Sequence, residues 1–303
     1  PVYNLFIEIA KQIAPNYISM IMPSRWFAGG KGLDSFRESM LSDKRISHIF
    51  DYVNAKDCFP TASIGGGVNY ILWDVNYKGN CSITTIQGTQ RDMEQRPLDQ
   101  FSVFIRYNSA IHIVHKCQSD NSFASIVNSR NPFGLSSNIR GEKTGEIRLI
   151  TSAGISWLPK SAIDSTNHLL SKYKILMSKV TAEHAGEPDK KGQFKIISRT
   201  EIIGPNDVCT DSYLIVGASE SKLVVENEYK YIQTRFLRFL LMLSVSSINL
   251  SSEKFQFIPL QDFTSNSDIN WSRSISEIDT QLYAKYGLSE DEISFIESMI
   301  KPM

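Results

Sequence analysis

The sequence has little of several things that would each have pointed to a class of protein. It lacks a long apolar run: the most apolar stretch of the 303 residues, Phe236 to Val245, is interrupted by Arg238, and it is about half the length of the roughly 20 residues that cross a bilayer. No membrane-spanning helix is expected, and a buried amphipathic helix accounts for the run. It lacks paired cysteines: Cys58, Cys81, Cys117 and Cys209 are far apart and form no Cys-x-x-Cys, so neither a zinc site nor a disulfide framework is expected, only small, reduced, partly buried thiols. It lacks a net charge, with 32 Lys+Arg against 32 Asp+Glu, which removes any global electrostatic pull toward a polyanion. The first residues show no basic segment followed by an apolar stretch and a small-residue cleavage site, which argues against export and for a cytoplasmic protein.

What is there is a chain with 42% hydrophobic residues, enough for one large or two ordinary domains. The neutral sum hides an asymmetry. Between Arg130 and Thr200 the sequence holds twelve Lys+Arg and six Asp+Glu, whereas Glu253 to Met303 holds four and nine. A basic face turned to a polyanion produces such counts, and so does a solvated mixed surface. Of the five histidines only His112 and His115 stand close in sequence; on a strand they would face opposite sides, and no metal site is expected.

Val2, Leu5, Phe6, Ile9, Ala10 and Ile13 recur at helical spacing, and Pro15 stops that helix before a buried strand over Tyr17 to Met22. Gly29-Gly30-Lys31-Gly32 predicts a flexible turn, residues 33–41 a helix, 46–53 a strand and 68–75 a third strand. Ser82 to Ile86 is expected to pair with that third strand as a hairpin across Asn76-Tyr77-Lys78-Gly79-Asn80. Alternation of this kind belongs to an α/β layered domain. After about residue 90 the pattern changes. Short apolar segments at Phe101 to Ile105, Ile147 to Ile150, Lys174 to Ser178 and Tyr213 to Val216 are separated by Gly, Pro, Asn and Ser clusters, predicting a mixed, strand-rich second domain. Tyr231 to Leu243 predicts one long helix, and Ser274 to Tyr286 with Ser289 to Met299 a closing helical pair, Ser289 and Glu292 standing in capping-box spacing.

Within this frame the run Tyr17-Ile18-Ser19-Met20-Ile21-Met22-Pro23, then Ser24-Arg25-Trp26-Phe27, then Phe59-Pro60-Thr61-Ala62-Ser63-Ile64 is the most specific feature. It resembles the second half of the catalytic domain of bacterial, TaqI-like adenine-N6 DNA methyltransferases of restriction-modification systems, in which a Pro-Ser-Arg-Trp-Phe run ends a central strand. The resemblance implies a Rossmann-like half sheet over residues 1–90. It implies a mixed α+β target recognition domain with terminal helices over residues 91–303. The implied reaction moves a methyl group from S-adenosylmethionine to adenine N6 in double-stranded DNA. The cofactor loop and the Asn-Pro-Pro-Tyr catalytic tetrapeptide of that family are absent from the sequence. The chain is therefore expected to be a fragment or subunit whose N-terminal methyltransferase half is missing, with no catalytic residue of its own and no S-adenosylmethionine binding alone. A non-catalytic DNA specificity subunit is the alternative, and a nuclease elsewhere in the parent protein is compatible with the same residues.

The resemblance makes Phe59 the aromatic that stacks on the extruded adenine; without it, the first reading of the residue is a core phenylalanine at a strand start. Gly65-Gly66-Gly67 lacks the Lys-Ser/Thr of a phosphate loop and is expected to be loose backbone entering a strand, close to the base pocket in the family. Arg25 and Lys31 flank a turn at the carboxyl end of a strand, where open sheets bind ligands, and are candidate phosphate contacts, with surface charge on a turn as the other reading. In the second domain Arg130 and Asn131, in Arg130-Asn131-Pro132-Phe133-Gly134-Leu135, carry groups able to read guanine and adenine edges. A tight turn with Phe133 plugging the core is the other reading, and both stand open. Lys190, Lys191 and Arg199 are expected to face phosphate or solvent. Glu228-Tyr229-Lys230 with Asp211 upstream matches a nuclease pattern only by residue type.

Overall fold

The computed structural model describes the chain except for Pro1, Ser63, Ser129, Arg130, residues 184–187, Lys190, Ser246 and Ser247. The described residues form a mixed α/β structure that divides into two compact units. The first is mainly Pro1–Ile113 with the short segment Leu243–Ile248, and the second comprises Val114–Glu183, Lys190–Met242 and Asn249–Met303. The division between Ile113 and Val114 falls inside a helix.

In the first unit α1 (Tyr3–Gln12) leads into β1 (Tyr17–Pro23), followed by α2 (Asp34–Ser42), β2 (Ile46–Tyr52), β3 (Val68–Asp74), β4 (Cys81–Gln87) and β5 (Gln90–Arg96). Ala14 takes a left-handed φ of 55°, and with Pro15 behind it the first helix cannot continue. The five strands form one sheet in the order β1-β3-β2-β4-β5. β3 lies between β1 and β2 and is antiparallel to both, while β4 runs parallel to β2. The expected hairpin between β3 and residues 82–86 is therefore not formed. Both edges of β3 are taken by β1 and β2, so the chain carries β4 across to the free edge of β2, where Cys81 and Ile83 join Ile49 and Ile71 in the core.

That core also holds Ile7, Trp26, Phe36, Met40, Trp73 and Phe104. Residues 101–105 form no strand, yet Val103, Phe104 and Ile105 are buried and the Phe104 amide donates to the Phe27 carbonyl at 2.7 Å. The helical stripe of α1 is inverted with respect to ordinary amphipathic packing: Ile7 is buried, whereas Val2, Leu5, Phe6, Ile9 and Ile13 are exposed.

The helix α3 (Asn108–Cys117) carries His112 and His115, which therefore sit one turn apart on a helix rather than on a strand. The second unit contains β6 (Ile147–Thr151), β7 (Gly154–Leu158), β8 (Tyr173–Ser178), β9 (Thr200–Ile203), β10 (Asp207–Cys209) and β11 (Tyr213–Ser219). They form two three-stranded sheets, β10-β6-β7 and β11-β8-β9. The helices are α4 (Lys222–Gln233), α5 (Arg235–Leu243), α6 (Ile275–Lys285) and α7 (Glu290–Met299). The single long helix expected over 231–243 is broken at Thr234, whose backbone is extended. Asp279 of α6 accepts from the amides of Arg235 and Phe236 at 3.0 and 2.9 Å, capping α5 as a separate helix. Ser274 with Glu277 and Ser289 with Glu292 both close capping boxes.

Candidate functional site

The register brings four strand ends to one rim of the five-stranded sheet. Val68, the first residue of β3, pairs with Pro23 and with Tyr52, the last residues of β1 and β2, and Tyr52 pairs with Ile86 near the end of β4. Beyond Pro23 a single 3₁₀ turn, Ser24–Phe27, sends Trp26 and Phe27 into the core and Arg25 into solvent.

Beneath the rim lies a buried polar network. The Ser24 hydroxyl donates to Asp51 Oδ1 at 2.9 Å, and Asn69 Nδ2 donates to Ser24 Oγ at 3.1 Å. Arg106 Nε stands 2.8 Å from Asp51 Oδ2. Its Nη2 donates to Asp51 Oδ1 at 3.0 Å and to the Gly66 carbonyl at 2.8 Å. Burial pushes the Asp51 carboxyl upward, and the Arg106 charge and the Ser24 hydroxyl oppose that shift. The glycine run has a definite task here. Gly67 has a φ of +81°, a Cβ there would collide with the Tyr52 carbonyl, and its own carbonyl accepts from the Ser24 amide at 3.0 Å. With the Gly66 carbonyl held by Arg106, these glycines present acceptors to the protein instead of a cradle of amides to a phosphate.

Phe59 lies in the loop from β2 to β3. Asn54 caps a short turn by accepting from the Lys56 amide at 3.0 Å, the Phe59 amide donates to the Ala55 carbonyl at 2.7 Å, and the Ala62 amide donates back to Phe59 at 2.9 Å. The backbone is thus fixed while the ring is 40% exposed, so Phe59 is not a core residue. Asp57 Oδ2 accepts from the Gly88 amide at 2.8 Å, tying the β4–β5 turn to the same loop.

The other residues singled out in the sequence are dispersed. Lys31 is exposed on the turn after Arg25, between Gly30 and Gly32, both at positive φ. Asn131 is in the second unit, at a left-handed φ of 57°; its carbonyl accepts from Gly134, its Oδ1 is buried without a partner among the described residues, and Phe133 fills the second unit's core. Lys191 is exposed, while Arg130 and Lys190 lie outside the described residues. Glu228 and Lys230 diverge around α4: Glu228 lines a small cavity with Asn128 and Lys172, whereas Lys230 donates to the Trp271 carbonyl at 2.6 Å and lines another cleft. No nuclease constellation forms from them. Among the described residues no cluster of three or more His, Cys, Asp or Glu could hold a metal ion, and no helix is long and apolar enough to cross a membrane. The reading from sequence missed Asp51, Arg106 and Asn69; the one local signal was a carboxylate on the inward register of β2, between Ile49 and Val53.

Residues 1–59 match the family described as Eco57I restriction-modification methylase. An 85-residue stretch is 32% identical to an uncharacterized adenine-specific methylase of Mycoplasma pneumoniae, covering 28% of this chain and 20% of that protein. Among solved structures, the type IIG restriction endonuclease BpuSI aligns over 97% of this chain and 48% of its own, at 12% identity and a TM-score of 0.38. The type IIL restriction-modification enzyme MmeI, in complex with DNA, aligns over 92% of this chain and 49% of its own, at 9% identity and a TM-score of 0.46. The chain thus spans about half of each of these structures, and the match covers a fifth of the curated relative. The resemblance read in the sequence is thereby shown: the first 59 residues match a restriction-modification methylase family, and the chain has an adenine-specific methylase relative.

Proposed function

We propose that this chain is part of a site-specific DNA methyltransferase that transfers a methyl group from S-adenosylmethionine to adenine N6 in a bacterial restriction-modification system. In this reading the first unit completes the catalytic domain and the second is the target recognition domain, so the boundary moves from residue 90 to the neighbourhood of Ile113. The observation that carries it is Phe59: a half-exposed ring on a hydrogen-bonded loop at the sheet rim, at the end of the segment that matches the family. An adenine inside a duplex cannot be reached, so it must be extruded and its π-face held; the Phe59 ring offers that face. Arg25 and Lys31 in the first unit are candidate contacts to the DNA backbone; in the second unit Asn131 is a candidate for base edges and Lys191 for phosphate. The partner is double-stranded DNA in the bacterial cytoplasm.

S-adenosylmethionine, bound by the complete enzyme, supplies the methyl group. Asp51 is buried and committed to Arg106 and Ser24, so it is not open to a ribose diol; Asp57 is exposed and accepts from the Gly88 amide through Oδ2. The cofactor pocket and the Asn-Pro-Pro-Tyr tetrapeptide belong to an N-terminal half. Two features support such a partner: β1 is an edge of its sheet, and Tyr17 and Ile21 on β1 with Val2, Leu5, Phe6, Ile9 and Ile13 expose apolar surface of the kind that marks an interaction face. The test is to combine the chain with an N-terminal methylase half carrying that tetrapeptide and to follow methyl transfer into an adenine-containing duplex. Transfer that requires both parts and fails with Phe59→Ala supports the reading; transfer with unaltered kinetics in Phe59→Ala removes the stacking role.

A further inference from the structure

Two loops of the first unit are joined at the rim, and each carries a cation that the reading above does not use. The loop after β2 holds Lys56 one turn before Phe59, and the turn between β4 and β5 leads into Arg91. The Val53 amide donates to the Ile86 carbonyl at 3.0 Å, and the Gly88 amide donates to Asp57 Oδ2 at 2.8 Å. The connection from β4 to β5 is tight: Gln87 pairs with Gln90, leaving Gly88 and Thr89 as the turn, with Gly88 at a φ of +59°. The two loops are therefore held as one piece.

Lys56 and Arg91 are exposed and make no ion pair among the described residues. By contrast Lys11, Arg37, Lys44, Arg45 and Arg106 of the same unit each stand against a carboxylate. The register puts Arg91 in one row with Ile86, Tyr52 and Val68, so its side chain leaves the sheet on their face. Tyr70 stands on that face one row further in. Burial and the neighbouring Tyr52 and Cys58 push the Tyr70 hydroxyl up, and the Arg91 guanidinium draws it down. Arg91 and the residue next to Phe59 thus act on one common neighbour, and the charge of the hairpin lies on the side of the sheet that the Phe59 loop occupies.

Resting on the reading that Phe59 stacks on an extruded adenine, we propose that Lys56 and Arg91 hold the two phosphates that flank the extruded nucleotide. A nucleotide leaves the stack by turning about its own backbone, so its base comes to rest on a ring only where the strand on either side is held. Phosphate contacts fix a strand in place without reading its sequence, and two cations on a jointly fixed pair of loops, one of which carries the ring, supply that hold. The Arg91 guanidinium is a fork that can take two oxygens of one phosphate, whereas the Lys56 ammonium acts as a point charge. Asp57, the carboxylate of the same turn, gives Oδ2 to the Gly88 amide and so serves the joint between the loops.

The experiment titrates the full chain, over a range of salt concentration, with a fully paired duplex and with one carrying a single extrahelical adenine, whose two flanking phosphates are native or replaced by neutral methylphosphonates. Each phosphate contact contributes about −0.9 to the slope of log affinity against log salt. On the extrahelical duplex Lys56→Ala and Arg91→Ala should each flatten the wild-type slope by about 0.9, and Lys56→Arg and Arg91→Lys should restore it. Lys78, exposed on the turn after β3 at the opposite end of the sheet, is the control, and Lys78→Ala should leave the slope unchanged. With the methylphosphonates the wild-type slope should flatten by about 1.8, and the double alanine variant should show that same slope. An unchanged slope in either alanine variant, or variant and methylphosphonate effects that add, overturns the assignment. The stacking reading fails separately: a wild-type protein with no preference for the extrahelical duplex over the paired one, or a preference that Phe59→Ala keeps, removes Phe59, while the slopes still decide Lys56 and Arg91.

Discussion

Each unit of the molecule buries a carboxyl beside a glycine with a left-handed backbone, and the two carboxyls meet different fates. In the first unit Asp51 is enclosed by Ser24 and Arg106, and Arg106 in turn holds the Gly66 carbonyl. In the second unit Glu228 sits against Gly217 with an oxygen that has no partner among the described residues. A satisfied buried charge fixes geometry: the network under the rim ties β1, β2, the glycine run and Arg106 into one block that supports the Phe59 loop. An unsatisfied one costs stability.

The most forceful way to break this comparison is to turn the first site into the second. Arg106→Ala leaves Asp51 buried without its cation, and removal of one partner from a buried pair is expected to cost about 3–5 kcal/mol. Urea unfolding of the variant measures it. Adding Asp51→Asn to Arg106→Ala removes the stranded charge and should recover a large part of the loss. A loss below about 1 kcal/mol in Arg106→Ala would mean that water reaches Asp51 and that the block is not what holds the rim.

A second contrast concerns pH. The Glu228 carboxyl is raised from an ordinary 4.5 to about 7 by burial alone. A carboxyl raised in the folded state binds its proton more tightly there than in the unfolded chain. Its contribution is therefore complete below about pH 4.5 and is lost as pH rises to about 7. Glu228→Gln removes the titration. The variant should be more stable than wild type at pH 8 by a margin on the order of 3 kcal/mol, shrinking to little below pH 4.5. Melting temperatures of both proteins across that range read the difference; parallel curves would show that Glu228 is partnered in solution.

The two carboxyls also mark what the sequence could reveal. Local patterns were legible: the helix of α1, the strands β1 to β3, and the capping box from Ser289 to Glu292 all rest on residues within a few positions of one another. Legibility stopped where a partner came from afar. The periodicity of α1 announces an apolar face but not that the face is left open. The break at Thr234 depends on Asp279, which is 44 positions from Arg235. The place of β4 depends on both edges of β3 being occupied, and the Asp51 network needs Arg106, 55 positions away. Glu228 drew notice for its spacing to Lys230, but on a helix residues two apart do not share a face, and the chemistry that spacing suggested does not assemble.

The smallest expected change in stability belongs to Phe59, and it separates the rim from the core beneath it. Trp26 and Phe59 are both aromatics of the matched segment, yet Trp26 is fully buried against Phe27, Phe36 and Phe104, and Phe59 is 40% exposed. Trp26→Ala should therefore cost about 3–5 kcal/mol of folding stability through the cavity it leaves. Phe59→Ala opens no sealed cavity, and its effect on unfolding should stay within about 1 kcal/mol. In the assembled methyltransferase the order reverses: Phe59→Ala should lose roughly 1–3 kcal/mol of base stacking in the extruded state, and Phe59→Trp should keep most of it. Melting temperature and methyl transfer, measured on the same Phe59 variants, decide the point. A large melting loss in Phe59→Ala with normal transfer by the protein that remains folded would place Phe59 with Trp26, as a residue of the core.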